Sequence, residues 1–236
     1  MQSPLAQRRG VIQSAFVIFE EHMFALVGTE SSPWLLLALG LAAYFLGSIP
    51  SGFLVAKICG VDIRGVGSGN IGATNAFRVL GRTAGTIVLL YDALKGFAAV
   101  RWLPLLFHGA SPEYAPMVGG FCAILGHNYT CWLKFKGGKG IATSAGVMLA
   151  LAPLGLAIIL STWLIIFYLS GYVSLASIAA AAVLPFGVWL TGSPRPVVIL
   201  TAVVGALAIY KHRPNIKRLM NGTENRFGKR DKKKSA

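Results

Sequence analysis

Apolar residues run in long stretches along this chain, and short polar segments rich in glycine separate them. The clearest runs are Trp34–Val55, Gly85–Phe107, Ile141–Tyr168 and Pro196–Tyr210. A helix that crosses a bilayer needs about 20 apolar residues, fewer where protein encloses it. The pattern predicts an all-α integral membrane protein of about seven transmembrane helices, some of them short. They are placed near 33–56, 83–107, 115–131, 138–152, 153–170, 171–191 and 195–211. The long run at 141–168 is read as two helices that turn near Leu151–Gly155, because Pro153 removes a backbone donor. Residues 1–32 form a weakly apolar leader with no assigned function. The seven-helix unit spans 33–212, and 213–236 is a basic tail.

Charge supports the count of seven. The loop 57–82 carries Lys57, Arg64, Arg78 and Arg82, and the segment 127–140 carries Lys134, Lys136 and Lys139. Ten of the 22 Lys and Arg fall in Lys211–Lys234, whereas the connections at 108–114, 151–155 and 191–195 hold only Arg195. Basic residues accumulate on the cytoplasmic side of membrane proteins. Only the split version brings all three basic segments to one face, with the first helix starting outside and the tail ending inside. No internal repeat of the kind that marks inverted-repeat transporters stands out.

Composition agrees with a membrane protein. Hydrophobic residues make up 55% of the chain and charged residues 13%, against about 25% charged in soluble domains. The net charge of +14, concentrated in the tail, fits an electrostatic anchor on anionic lipid, where each basic residue adds about 1 kcal/mol. Nucleic-acid binding is excluded, because the basic groups are not interleaved with stacking aromatics on a soluble fold. Cys59, Cys122 and Cys131 are odd in number and lie in or beside apolar runs, so they read as small core residues.

The polar clusters carry the chemistry. GSGNIGATNAFR (Gly67–Arg78) places Ser68, Gly69, Asn70, Thr74 and Asn75 where backbone amides, hydroxyls and side-chain amides can meet an anion. Arg78 follows, able to grip a phosphate with two parallel N–H bonds. GHNYTCWLKFKGGKG (Gly126–Gly140) sets Lys136, Gly137, Gly138, Lys139 and Gly140 directly before an apolar helix, a ready anion site. Simple topology would need the lysines but not the glycines. HRPNIKRLMNG (His212–Gly222) supplies His212 and Asn215. His212 and His127 each lie near an Asn, and a neutral imidazole can take a proton from an alcohol. An Asn can donate to a developing oxyanion. Asp92 and Lys95 lie three apart and read as a self-neutralising structural pair. Glu224 reads as a cap or brace for the tail. The eight acidic residues form no metal-ligand cluster, and no serine nucleophile elbow appears.

The order and wording of these clusters closely resemble the bacterial acyl-phosphate:glycerol-3-phosphate acyltransferases, the PlsY family, from about Gly47 to Phe227. That resemblance implies a seven-helix enzyme of the bacterial cytoplasmic membrane with a cytoplasm-facing active site. It would move a fatty acyl group from acyl phosphate to the sn-1 hydroxyl of glycerol 3-phosphate, giving lysophosphatidic acid and phosphate. It further implies that Ser68 and Arg78 are needed for activity and that His212 and Asn215 are functional. Gly137, Gly138 and Gly140 would shape a phosphate site with Lys136 or Lys139, and Glu224 would be structural. Lys211 and Pro214 are positions of ordinary variation. No cofactor or metal is implied; the oligomeric state is left open. Phosphate is a good leaving group, so acyl phosphate is already activated and no covalent acyl-enzyme is required. The proton acceptor is His212 first, then His127, or the donor's own phosphate. None of the four histidines precedes an Asp at the spacing of the common His-x4-Asp acyltransferases. Two other readings remain: a transporter for a small organophosphate and a non-catalytic lipid-binding scaffold.

Overall fold

The computed structural model describes residues 32–227; the leader and the end of the tail lie outside the described residues. Among the described residues there are ten α-helices: α1 (Pro33–Ser48), α2 (Ser51–Ile58), α3 (Ala73–Leu80), α4 (Arg82–Arg101), α5 (Ala115–Asn128), α6 (Ile141–Leu151), α7 (Pro153–Ser170), α8 (Val173–Leu190), α9 (Arg195–Lys211) and α10 (Arg213–Met220). Among the described residues there is no strand. Proline marks several starts. It stands in the first turn of α1, α5, α7, α9 and α10, where a missing N–H costs nothing.

All seven expected apolar segments are helical, but they differ in reach. Pro33–Ile58, Arg82–Arg101, Pro153–Ser170 and Val173–Leu190 are long and apolar enough to cross a bilayer. A fifth span results if α9 and α10, bent by 55° at His212, count as one broken span. α6 has 11 residues, about 17 Å of helix at 1.5 Å per residue against a core of about 30 Å. The first expected span is also interrupted. Ile49 is extended ahead of Pro50, which excludes the helical region for the residue before it, so α2 restarts at Ser51. The break after α6 falls at the extended residue Ala152, where Pro153 predicts it.

Helices α1 and α5 pack together, as do α4 and α6, α7 and α8, and α8 and α9. Small residues permit the closest approaches. A Cβ on Gly96 would lie 2.2 Å from the Thr143 carbonyl oxygen, and one on Gly146 would lie 1.8 Å from that of Ala93. This reciprocal contact presses α4 against α6. The core runs through Val100, Ile124, Val147, Met148, Leu184, Val188 and Val204. The opposite surface is apolar as well: Leu154, Leu164, Ile165 and Leu169 of α7 are exposed, and only Gly155 of that helix is buried. An apolar surface of this extent is a lipid-facing one. Cys59 departs from the expected core placement. It follows Ile58 at the exposed end of α2, while Cys122 and Cys131 are partly buried and all three thiols are free.

Candidate active site

The first polar cluster folds around one buried side chain. Asn75 accepts a hydrogen bond from the Ser68 backbone N–H (2.9 Å) and donates to the Val66 carbonyl (3.0 Å). The Arg78 guanidinium also donates to Asn75 Oδ1, at 3.4 Å. Gly67 and Gly69 occupy left-handed backbone, with φ of 65° and 70°, which only glycine adopts without strain. Asn70 closes the loop by accepting the Gly72 N–H at 2.9 Å. The Asn70 and Asn75 amides therefore build the loop, and Ser68, Thr74 and Arg78 are presented from it.

In the second cluster, the glycines dock on the histidine segment. Gly138 N–H donates to the His127 carbonyl (3.0 Å) and Gly137 N–H to that of Asn128 (3.2 Å). A Cβ on Gly138 would sit 2.1 Å from His127 Nε2, so only a bare backbone fits. Lys134 and Phe135 both take positive φ and turn the exposed Lys136 outward. Lys139, next to α6, points the other way and donates to Asn215 Oδ1 of the third cluster.

The third cluster then forms a chain of hydrogen bonds. Asn215 donates to Glu224 (2.8 Å), which also accepts from Ser174 (3.0 Å) and Arg218 (2.6 Å). Glu224 thus ties α8, α10 and the segment after α10 together. His212 is buried at the α9–α10 bend, and its Nδ1–H donates to the Ala208 carbonyl at 2.7 Å. A carbonyl only accepts, so Nε2 carries no proton and is free to take one. Lys211 does more than its reading as ordinary variation suggested. Its ammonium donates to the Asn128 carbonyl (2.9 Å) and lies 4.4 Å from the Tyr129 ring centroid, joining the second and third clusters.

A single cavity of about 350 Å³ collects these groups. Its polar end is lined by Ser68, Asn70, Thr74, Asn75, Arg78, His127, Lys139, Gly140, His212, Asn215 and Glu224. Its apolar length runs between α6, α7, α8 and α9, past Met148, Leu156, Ile159, Trp163, Leu184 and Val204. Gly69, Lys136, Gly137 and Gly138 stay behind the wall rather than on it. Among the described residues, neither Arg78 nor Lys139 pairs with a carboxylate, whereas Glu224 pairs with Arg218 at 2.6 Å and Asp92 with Lys95 at 2.8 Å. Two cations are thus left for a ligand. Burial, with Arg78, Arg218 and Lys211 nearby, pushes the Lys139 ammonium down to about 8. Burial and the Lys139 charge likewise push His212 down to about 4. An anionic head with a long apolar tail fits this shape.

The comparisons with known proteins agree. The glycerol-3-phosphate acyltransferase family model matches residues 37–222. The chain belongs to the glycerol-3-phosphate acyltransferase family. Relatives of that name include one from Geotalea daltonii, 47% identical over 79% of this chain and 95% of its own. Another, from Geobacter sulfurreducens, is 48% identical over 81% of this chain and 97% of its own. A crystal structure of PlsY, an integral membrane glycerol 3-phosphate acyltransferase in its glycerol 3-phosphate form, superposes with a TM-score of 0.75 at 44% identity. That match covers 82% of this chain and 96% of the other. The lysophosphatidic acid form matches with a TM-score of 0.73 at 43% identity.

For this glycerol-3-phosphate acyltransferase family member, sequence reasoning missed a further connection. Asp92 lines the cavity, and its carboxylate holds three groups: Lys95 (2.8 Å), the Ser51 hydroxyl (2.7 Å) and His127 Nδ1 (3.4 Å). Lys95 also donates to the Ile49 carbonyl (2.9 Å) at the α1–α2 break. The pair was visible from its spacing. Its contact with His127, 35 residues further along, was not.

Proposed function

We propose that the protein transfers a fatty acyl group to the sn-1 hydroxyl of glycerol 3-phosphate, giving lysophosphatidic acid, the entry to phospholipid synthesis, with acyl phosphate as donor and inorganic phosphate released. The observation that carries this reading is the single cavity in which all three clusters meet an apolar groove. Both substrates bear phosphate, and two unpaired cations, Arg78 and Lys139, stand at its polar end. The first cluster, with Ser68, Asn70, Thr74 and Arg78, takes one phosphate. Lys139, Gly140 and Asn215 take the other. The acyl chain lies along α6–α9. Holding hydroxyl and carbonyl together can supply about 7–11 kcal/mol of the barrier. His212 Nε2 faces no protein proton and accepts that of the attacking alcohol. Gly69, Gly137 and Gly138 support these groups from behind, and Lys136 faces outward. The glycerol 3-phosphate and lysophosphatidic acid named for the two similar structures are the acceptor and product in this reading. The relatives described above all carry transferase names, and nothing among them favours a transporter.

Purified protein in detergent, given radiolabelled glycerol 3-phosphate and palmitoyl phosphate, is expected to form lysophosphatidic acid. No product above a Ser68→Ala control would overturn the reading, and palmitoyl-CoA run in parallel fixes the donor.

The polar end is proposed to face the cytoplasm of a bacterial inner membrane, with seven crossings of the 33–212 unit and the 213–236 tail inside. Two contacts support this arrangement: Ser32, at the start of α1, bonds Gly109 in the basic-poor loop (3.3 Å), and Phe227 bonds Gly171 at the cluster end (2.8 Å). In a background with the three cysteines replaced by serine, Arg230→Cys is expected to react with impermeant maleimide only from the cytoplasmic side. Labelling from outside would overturn this arrangement.

A further inference from the structure

The segment Thr223–Phe227 lies past residue 222, where the family model's match ends, yet Thr223, Glu224, Arg226 and Phe227 are each tied down. Glu224 binds Asn215, Ser174 and Arg218. Arg226 Nε donates to the Ser170 carbonyl at 3.0 Å, and its guanidinium carbon lies 5.9 Å from the Tyr172 ring centroid. The Phe227 N–H donates to the Gly171 carbonyl at 2.8 Å. Gly171 holds φ of +73° at the α7–α8 turn, and a Cβ there would come within 2.9 Å of Arg226 Nε, so the turn is shaped to receive this strap. The Phe227 ring meets Phe167 edge-on at 5.6 Å, and Phe167 stacks on Trp163 at 5.0 Å. Trp163 lines the apolar groove and donates its indole N–H to Ser177 (3.1 Å).

We infer that Arg226 and Phe227 are positioning residues, whose strap fixes Glu224 and through it the Asn215–Lys139 pair that receives a substrate phosphate. Neither residue lines the cavity. Their influence passes along Glu224 to Asn215 and from Asn215 to the Lys139 ammonium. Without the strap, Glu224 keeps Arg218 and Ser174, but the backbone after it is no longer pinned to the α7–α8 turn and its carboxylate loses its fixed place over Asn215. The Lys139 side chain then samples positions that no longer converge on one anion. Such a change weakens ground-state and transition-state binding alike, so it raises KM while leaving kcat nearly untouched.

The inference rests on the acyltransferase reading, and its test separates the two. Both side chains are exposed, so Arg226→Ala/Phe227→Ala leaves the packed core intact. In the purified double variant, the calorimetric Kd and the KM for glycerol 3-phosphate are expected to rise about tenfold, the weight of one hydrogen bond to a charged group, with kcat within about twofold. Phe227→Tyr, which keeps the ring, is expected to bind like the parent chain. An unchanged Kd in the double variant, with a lowered Tm, would reduce the strap to a structural tie and overturn the inference. A parent chain that neither binds nor acylates glycerol 3-phosphate would bring down the underlying reading and the inference with it.

Discussion

Replacing Asp92 with alanine is expected to destabilise the protein by about 3–5 kcal/mol, because it leaves the buried Lys95 ammonium without its counter-charge. Lys95 is 3% exposed and would keep only the Ile49 carbonyl as a partner. The Ser51 hydroxyl would lose its acceptor at the start of α2, and His127 would lose the group that orients its ring against Gly138. The loss is read from denaturation in detergent of the purified variant. A double variant, Asp92→Ala/Lys95→Met, removes both charges and is expected to recover much of the stability, since a buried pair replaced by apolar groups is often close to neutral. The double variant should not recover full activity, because His127 remains without its carboxylate. If Asp92→Ala alone cost under about 1 kcal/mol, the pair would behave as a solvated surface bridge.

The same residues show how far the sequence could be read. The break at Ala152 was legible because Pro153 allows few alternatives, and the Asp92–Lys95 pair because i,i+3 positions share a helix face. The three clusters were legible as one site because positive charge sorts to one side of a membrane. Ser68, Arg78, Lys139, His212 and Asn215 do line one cavity. The interruption at Ile49–Pro50 was not read, because an apolar run masks a proline break as easily as it carries a helix. Which lysine of KFKGGKG turns inward depends on two consecutive left-handed residues, Lys134 and Phe135, and no local rule predicts that conformation for non-glycine residues. The docking of Gly137 and Gly138 on His127, and of Phe227 on Gly171, joins residues far apart in the chain. Such contacts are set by tertiary packing rather than by any pattern visible along the sequence.

His212→Ala is expected to lower kcat by about 10²- to 10⁴-fold, the usual weight of a positioned general base. The geometry supports the role: Nδ1–H is committed to the Ala208 carbonyl, which leaves Nε2 unprotonated in a buried cavity wall. One observation counts against it. Burial and Lys139 push the imidazole down to about 4, which is low for a base working near neutral pH. Substrate changes that balance, because two phosphates bring negative charge beside the ring and favour its protonated form. The sign of each limb follows. The base must be unprotonated, so kcat/KM, which reports the free enzyme, should rise with pH through about 4. Lys139 must be charged to hold phosphate, so kcat/KM should fall as pH rises through about 8. The kcat profile reports the substrate complex, and its acid limb should lie at higher pH than that of kcat/KM. In His212→Gln the acid limb should vanish from both. A loss below about tenfold on removing the imidazole, roughly 1.4 kcal/mol, would exclude it as the base. The proton would then go to a phosphate oxygen of the donor itself, with His212 serving only to start α10 through its backbone carbonyl, which accepts the Asn215 and Ile216 N–H groups at 2.8 and 2.9 Å.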